Sequence, residues 1–226
     1  MNIIFDNFII SSGKLELKRK LSRTSRVKPS IAAYSEKNKF MQYVESKLEL
    51  DAMMRLEFDT SVKSYLTQPC SVYLEIDGKR RRYTPDTLVE TIDGDYYFIE
   101  VKPKSKADKP EFIHKFEQIT DYFKSEVGIE IKLLTDDVIH CNKLISNLEQ
   151  LYPYISMPMK PRINERILNM INEPMAIKDI EIICQKFIKT SNYVWGLIAN
   201  GFFNFNNSTV LKKTDIITVN TAKLGA

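Results

Sequence analysis

The sequence predicts an α/β fold, and three observations carry that expectation. The first is the order of periodic segments: a helical stripe, three short meandering strands, a second helix, then a strongly apolar strand. The second is a pair of Asp-Gly turns, at 77–78 and 93–94, which punctuate the strands. The third is a change of texture after the proline-rich stretch Pro153–Pro161, beyond which short helices dominate. They divide the chain into a basic arm at 1–37, an α/β domain at 38–152 and a smaller domain at 153–226.

Met1–Ile10 is apolar and suits a short strand or docking segment. Asn38 to Phe58 is expected to be a helix, with Phe40, Val44, Leu48, Ala52 and Leu56 at i+4 steps. Glu49 sits at the border of that stripe, where a carboxylate either faces solvent or reaches into a cleft. Val62–Pro69 is expected to be a connection. Ser71–Ile76 alternates as a strand, turns at Asp77-Gly78, and returns through Lys79–Tyr83. Asp86–Ile92 and Tyr96–Lys102 form the next antiparallel pair. A helix from Pro110, which suits a first turn, runs to about Lys124 and carries Phe112, Phe116, Ile119 and Phe123 on one face. Gln118 and Tyr122 share a side of it, either exposed or leaning toward the strand ends. Ile129–Thr135 is a largely buried strand, and Asp136–Leu151 reads as a helix. Beyond the prolines, Arg162–Ile171, Ile177–Gln185 and Ser191–Asn200 are helical, and Gly201 is placed to end the third. Phe202–Thr218 suits a hairpin around Asn206-Asn207. Three helices and a hairpin fit a winged-helix-like domain.

The 226 residues are 27% charged and 43% hydrophobic, as in a well-filled globular chain. Cys70, Cys141 and Cys184 lack metal-ligand spacing, and His114 and His140 are the only histidines. That composition argues against a zinc site and for a reducing compartment. No stretch has the length and apolarity of a membrane span, and the N-terminus lacks a signal-peptide pattern, so no membrane association and a cytoplasmic location are expected.

The net charge of +4 is modest, but its distribution is not uniform. The segment 14–28 includes Lys18, Arg19 and Lys20 among seven cations, against the single acid Glu16. Lys79, Arg80, Arg81 and Arg82 place cations on both faces of one strand, and Lys104 opens a lysine-rich loop. Such runs suit phosphate contacts, since each neutralised phosphate releases counterions. A solvated arm and a charge-protected edge strand are the alternatives.

The chemistry concentrates in Tyr83-Thr84-Pro85-Asp86 and Phe98-Ile99-Glu100-Val101-Lys102-Pro103. Strand side chains alternate faces, so Glu100 and Lys102 project together while Val101 turns the other way. Two carboxylates beside an ammonium group are costly to assemble, and a hard divalent cation would justify the cost. Register provides a test. A two-residue loop at Asp93-Gly94 would pair Asp86 with Val101 and turn it away from Glu100. An odd-length loop or a bulge is required, with Asp86 then expected opposite Lys102.

Asp86…Glu100-x-Lys102 resembles the PD-(D/E)xK nuclease signature, and the element order fits the αβββαβ core of restriction-endonuclease-like folds. Taken with Glu45-Ser-Lys-Leu-Glu49-Leu-Asp, Leu56-Glu-Phe-Asp and Gln68-Pro69, the motifs resemble TnsA, the endonuclease subunit of heteromeric transposases. The resemblance covers roughly 38–135. It implies Glu49, Asp86, Glu100 and Lys102 as catalytic residues. It also implies Mg2+, with Mn2+ as a substitute, held by Glu49, Asp86, Glu100 and the Val101 carbonyl. It further implies cleavage at the 5′ ends of a mobile element, beside a DDE-type transposase that acts on the 3′ ends. An AAA+ regulator bound through the C-terminal domain and a bacterial, nucleoid-associated setting complete the expectation. A restriction or repair nuclease with the same chemistry, or an inactive scaffold joining DNA to a partner, are the alternatives.

Overall fold

The computed structural model describes residues 3–4, 8–11, 14–17, 31–190 and 192–223. Two compact units divide between Ile139 and His140. The first opens with a three-stranded sheet of β1 (Ile3–Ile4), β2 (Phe8–Ser11) and β3 (Lys14–Leu17). The expected DNA contacts at Lys18, Arg19 and Lys20 lie outside the described residues.

The helix expected from Asn38 begins later. A hairpin of β4 (Ile31–Ser35) and β5 (Phe40–Val44) precedes α1 (Lys47–Phe58). Phe40, Gln42 and Val44 also repeat with period two, and burial of Gln42 and Val44 beside exposed Met41 shows which period prevails. Ser46 then caps the helix by accepting from the Glu49 amide.

The expected connection at Val62–Pro69 is instead strand β6 (Val62–Thr67). β7 (Val72–Ile76) and β8 (Lys79–Tyr83) form a separate two-stranded ribbon, with Asp77 and Gly78 both at positive φ in its turn. β9 (Thr87–Thr91) and β10 (Tyr96–Lys102) follow. A short helix α2 (Lys104–Ala107), then α3 (Pro110–Tyr122) with a π turn at Phe123–Val127, leads to β11 (Glu130–Thr135) and α4 (Asp136–Ile139). The main sheet runs β11-β10-β9-β6, parallel only between β10 and β11. The core order helix, three strands, helix, strand is therefore recovered. Its strands are β6, β9 and β10, with the β7–β8 ribbon inserted between the first two. This mixed α/β sheet is compatible with a nuclease-like core.

The two faces of the sheet bury different partners. Leu88, Phe98 and Ile131 join Ile119 and Phe123 of the helical segment and Leu74, Ile76 and Tyr83 of the ribbon in one apolar cluster. By alternation Val89, Ile99 and Val101 face the other way. Tyr65, paired with Val89, meets α1 there through its hydroxyl, which donates to Glu57. Glu57 also accepts from the Ser35 hydroxyl and from the amides of Glu36 and Lys37 at 3.1 and 3.3 Å, tying α1 to the β4–β5 turn.

The helix expected over Asp136–Leu151 is broken. α4 stops at Ile139, Asn142 takes a positive φ, and α5 (Leu144–Leu151) starts afresh. The division between units falls in this break, ahead of the proline-rich stretch expected to be the linker. The second unit continues with α6 (Pro161–Leu168), β12 (Met175–Ala176), α7 (Ile177–Gln185), α8 (Tyr193–Ala199), β13 (Phe203–Asn204) and β14 (Ile216–Val219). Its sheet runs β12-β14-β13. The hairpin expected over Phe202–Thr218 is present, with Phe203 of β13 opposite Val219 of β14, but a long loop joins the strands in place of a tight turn at Asn206-Asn207. Gly201 does end α8: its φ is +77°, its amide reaches the Ile198 carbonyl, and the Phe202 amide reaches Leu197.

Candidate active site

Turn geometry decides whether the two strand carboxylates meet. Tyr96 pairs with Glu90 and Ile99 with Thr87, and the Thr91 amide donates to the Asp95 carbonyl at 2.9 Å. The loop is therefore three residues, Ile92-Asp93-Gly94, closed by Gly94 at φ +88°. The odd length that the chemistry requires is present. Extending the ladder one step sets Asp86 across from Glu100, rather than across from Lys102 as expected. The outcome is more direct, because the two acids share a face.

Asp86 stands just before β9 and is held on three sides. Its amide donates to the Ile99 carbonyl at 3.1 Å, and its carbonyl accepts from Gln68 at 2.8 Å. Its Oδ2 accepts from the Val101 amide at 2.7 Å. Glu100 is buried. Its Oε2 accepts from the Tyr83 hydroxyl at 2.6 Å, and its Oε1 lies 3.0 Å from Lys102 Nζ. Lys102 and Glu100 thus share a face as expected, and the Lys102 ammonium also lies 5.5 Å from the centre of the Phe112 ring.

Burial, then the Glu100 charge beside it, pushes the Asp86 carboxyl up to about 8. Glu49 adds to the rise, while the Val101 amide and Lys102 oppose it. Glu49 is therefore electrostatically part of the site, but its side chain is turned onto its own helix end. Oε2 accepts from the Glu45 amide at 2.8 Å, and Oε1 accepts from the Ser46 hydroxyl at 2.8 Å. Ser46-x-x-Glu49 is a capping-box pattern, a signal in the sequence that explains this pose. Among the described residues no group of three or more His, Cys, Asp and Glu side chains stands ready to hold a metal ion. The donor set nonetheless fits a hard cation. Asp86 and Glu100 are adjoining oxygen donors, the kind of ligand a hard divalent ion takes.

Sequence reasoning missed Tyr83. It is buried, and burial together with Glu100 pushes its phenol far above the ordinary tyrosine range, so the hydroxyl keeps its proton and donates. Its place at the end of a cationic strand, three residues before Asp86, was the available signal. Gln118 differs from both earlier alternatives. It is half-buried and grips the ribbon turn. The Asp77 amide donates to its Oε1 at 3.0 Å, and His114 Nε2 lies 2.8 Å from Asp77 Oδ1. Tyr122, its expected companion, packs against the apolar cluster.

Lys79, Arg80, Arg81 and Arg82 are all exposed along β8, and Arg80 lies 5.0 Å from the centre of the Tyr73 ring across the ribbon. Lys104 is also exposed, near Asp108 and Asp137 at 3.8 and 3.6 Å.

An α/β sheet that brings two carboxylates and a lysine onto one face is compatible with a nuclease-like core. Residues 59–136 match the family model described as TnsA-like endonuclease N terminal. This stretch is TnsA-like, and it contains Asp86, Glu100, Val101 and Lys102 while stopping short of Glu49. No curated protein matches the chain.

Proposed function

We propose that the chain is a metal-dependent DNA endonuclease of a transposition machinery. It would cut the non-transferred strand at the 5′ ends of a mobile element. One observation carries this reading above the others: Asp86 and Glu100 share a face of the sheet with Lys102, and the peptide unit between the last two donates to Asp86. The TnsA-like match over the same residues supports it. When bound, Mg2+ (or Mn2+) would lower the pKa of a water molecule and stabilise charge on phosphoryl oxygens. Asp86, Glu100 and the Val101 carbonyl would hold it, and Glu49 would join directly or through water after leaving its helix cap. Lys102 would orient the water and offset charge in the transition state.

Lys79, Arg80, Arg81, Arg82 and Lys104 would contact DNA backbone, as would Lys18, Arg19 and Lys20 in the N-terminal segment. A DDE-type transposase acting on the opposite strands and an AAA+ regulator are the proposed partners. The second unit is proposed as a winged-helix-like domain. Its order α6-β12-α7-α8-β13-β14 and its sheet order β12-β14-β13 support that topology. All seven residues of α8 are buried, which argues against groove reading by this helix.

The test is an end-cleavage assay with the transposase subunit present. Asp86→Ala should lower 5′-strand cleavage by about three orders of magnitude. Folding and partner binding should be retained. Cleavage at the wild-type rate would remove Asp86 from the chemistry.

A further inference from the structure

Glu100 meets two donors, one on each carboxylate oxygen. Tyr83 reaches Oε2 at 2.6 Å and Lys102 lies 3.0 Å from Oε1. The two donors differ in freedom. Lys102 is a long, partly exposed side chain that can withdraw, with its ammonium near the Phe112 ring. Tyr83 cannot. Its ring is part of the apolar cluster and meets Phe123 edge-on, with centroids 5.9 Å apart. Its backbone is fixed opposite Val72 in the ribbon. Tyr83 therefore pins Oε2 and sets the plane of the Glu100 carboxylate, whereas the Lys102 contact at Oε1 can be released.

We propose that Tyr83 is a positioning residue that sets metal selectivity, by restricting Glu100 to one coordinating oxygen. This rests on the metal-dependent reading above. Mg2+ requires near-octahedral, single-oxygen ligands at about 2.1 Å, whereas Ca2+ takes more oxygens and accepts carboxylates through both. A glutamate confined to one oxygen suits the smaller ion and withholds from Ca2+ the chelation it gains elsewhere. Removal of the phenolic hydroxyl frees the second oxygen while leaving the ring that packs the core.

The experiment needs neither DNA nor turnover. Mn2+ bound to the metal-free, full-length protein is measured by electron paramagnetic resonance, and Mg2+ and Ca2+ are titrated as competitors. Tyr83→Phe should raise the ratio of Ca2+ to Mg2+ affinity by about tenfold. Glu100→Gln can offer only one oxygen, so it should weaken both ions and leave their ratio unchanged. An unchanged ratio in Tyr83→Phe, with Mn2+ still bound, would overturn the role given to Tyr83 alone. A fall in the Ca2+ to Mg2+ ratio in Glu100→Gln would show that Glu100 already uses both oxygens, with the same consequence. Mn2+ binding that is indifferent to Asp86→Asn would instead overturn the metal site itself.

Discussion

In the second unit the buried polar side chains are matched. Asn147 donates to Asn207 and Thr209 and accepts from the Leu211 amide at 2.8 Å. Asn164 accepts from Tyr193 at 2.6 Å, and Glu181 is met by Trp195 and by Lys213. In the first unit Asp86 and Glu100 are set side by side, with one lysine paired to Glu100. The contrast separates a region selected for packing from one where stability is given up to hold charge. Function is to be sought where electrostatics are unfavourable, because a folded chain tolerates such an arrangement only where something else offsets it.

The comparison is sharpened most by titration. The folded-state pKa of Asp86 is raised to about 8, so the metal-free folded protein holds a proton there that the unfolded chain has released by mid-pH. Its contribution is fully present below about pH 4 and is lost as pH rises to about 8, a decline on the order of a few kcal/mol. Urea melts of Asp86→Asn across that window should lack this decline, since the amide remains neutral and can still accept from Val101. A slope equal to that of wild type would place the strained charge elsewhere.

The matched side of the comparison also lies in the first unit, away from the acids. Glu57→Ala would strand the hydroxyls of Ser35 and Tyr65 and two amides, and should cost roughly 3 kcal/mol by denaturant unfolding. In the second unit, Gly196 lets α8 sit close to the chain before α6. A Cβ there would lie 2.7 Å from Met157 Sδ and 2.7 Å from Met159 Cε. Gly196→Val should lower stability by about 1–3 kcal/mol in thermal or urea unfolding, through overpacking. The smallest effect on folding belongs to the exposed ribbon. Replacing Arg80, Arg81 and Arg82 with alanine should change stability by less than about 0.5 kcal/mol. The same variant should bind DNA more weakly, with the salt slope reduced by about two to three. An unaltered slope in a filter-binding series would move the DNA contact off the ribbon.

Much of this was legible where local chemistry dictates local structure. The Asp77-Gly78 turn, the bounds of β8 and β10, the start of α3, α7 and the ending of α8 at Gly201 follow from turn residues, alternation and caps. So did the pairing of Glu100 with Lys102. What failed were places with two compatible periods or a long-range cause. Phe40 and Val44 fit a helix and a strand equally, and only the contacts of Gln42 with β6 decide between them. β6 was hidden because its alternation is incomplete: Tyr65, Leu66 and Thr67 are all buried. Tyr83 could not be assigned to Glu100 from spacing, since its role depends on a ribbon folding back over the sheet.

The turn Ile92-Asp93-Gly94 is exposed and far along the hairpin from the acids, so Ile92 and Asp93 are free to vary while Gly94 keeps its positive φ. The length of the turn is not free. With the sequence unaltered, closing the hairpin through a loop one residue shorter or longer would reverse the parity of the ladder and carry Asp86 through the sheet to the side that faces α1. A solvent-exposed tip with no chemistry of its own thus acts as the counter that keeps two distant acids in phase.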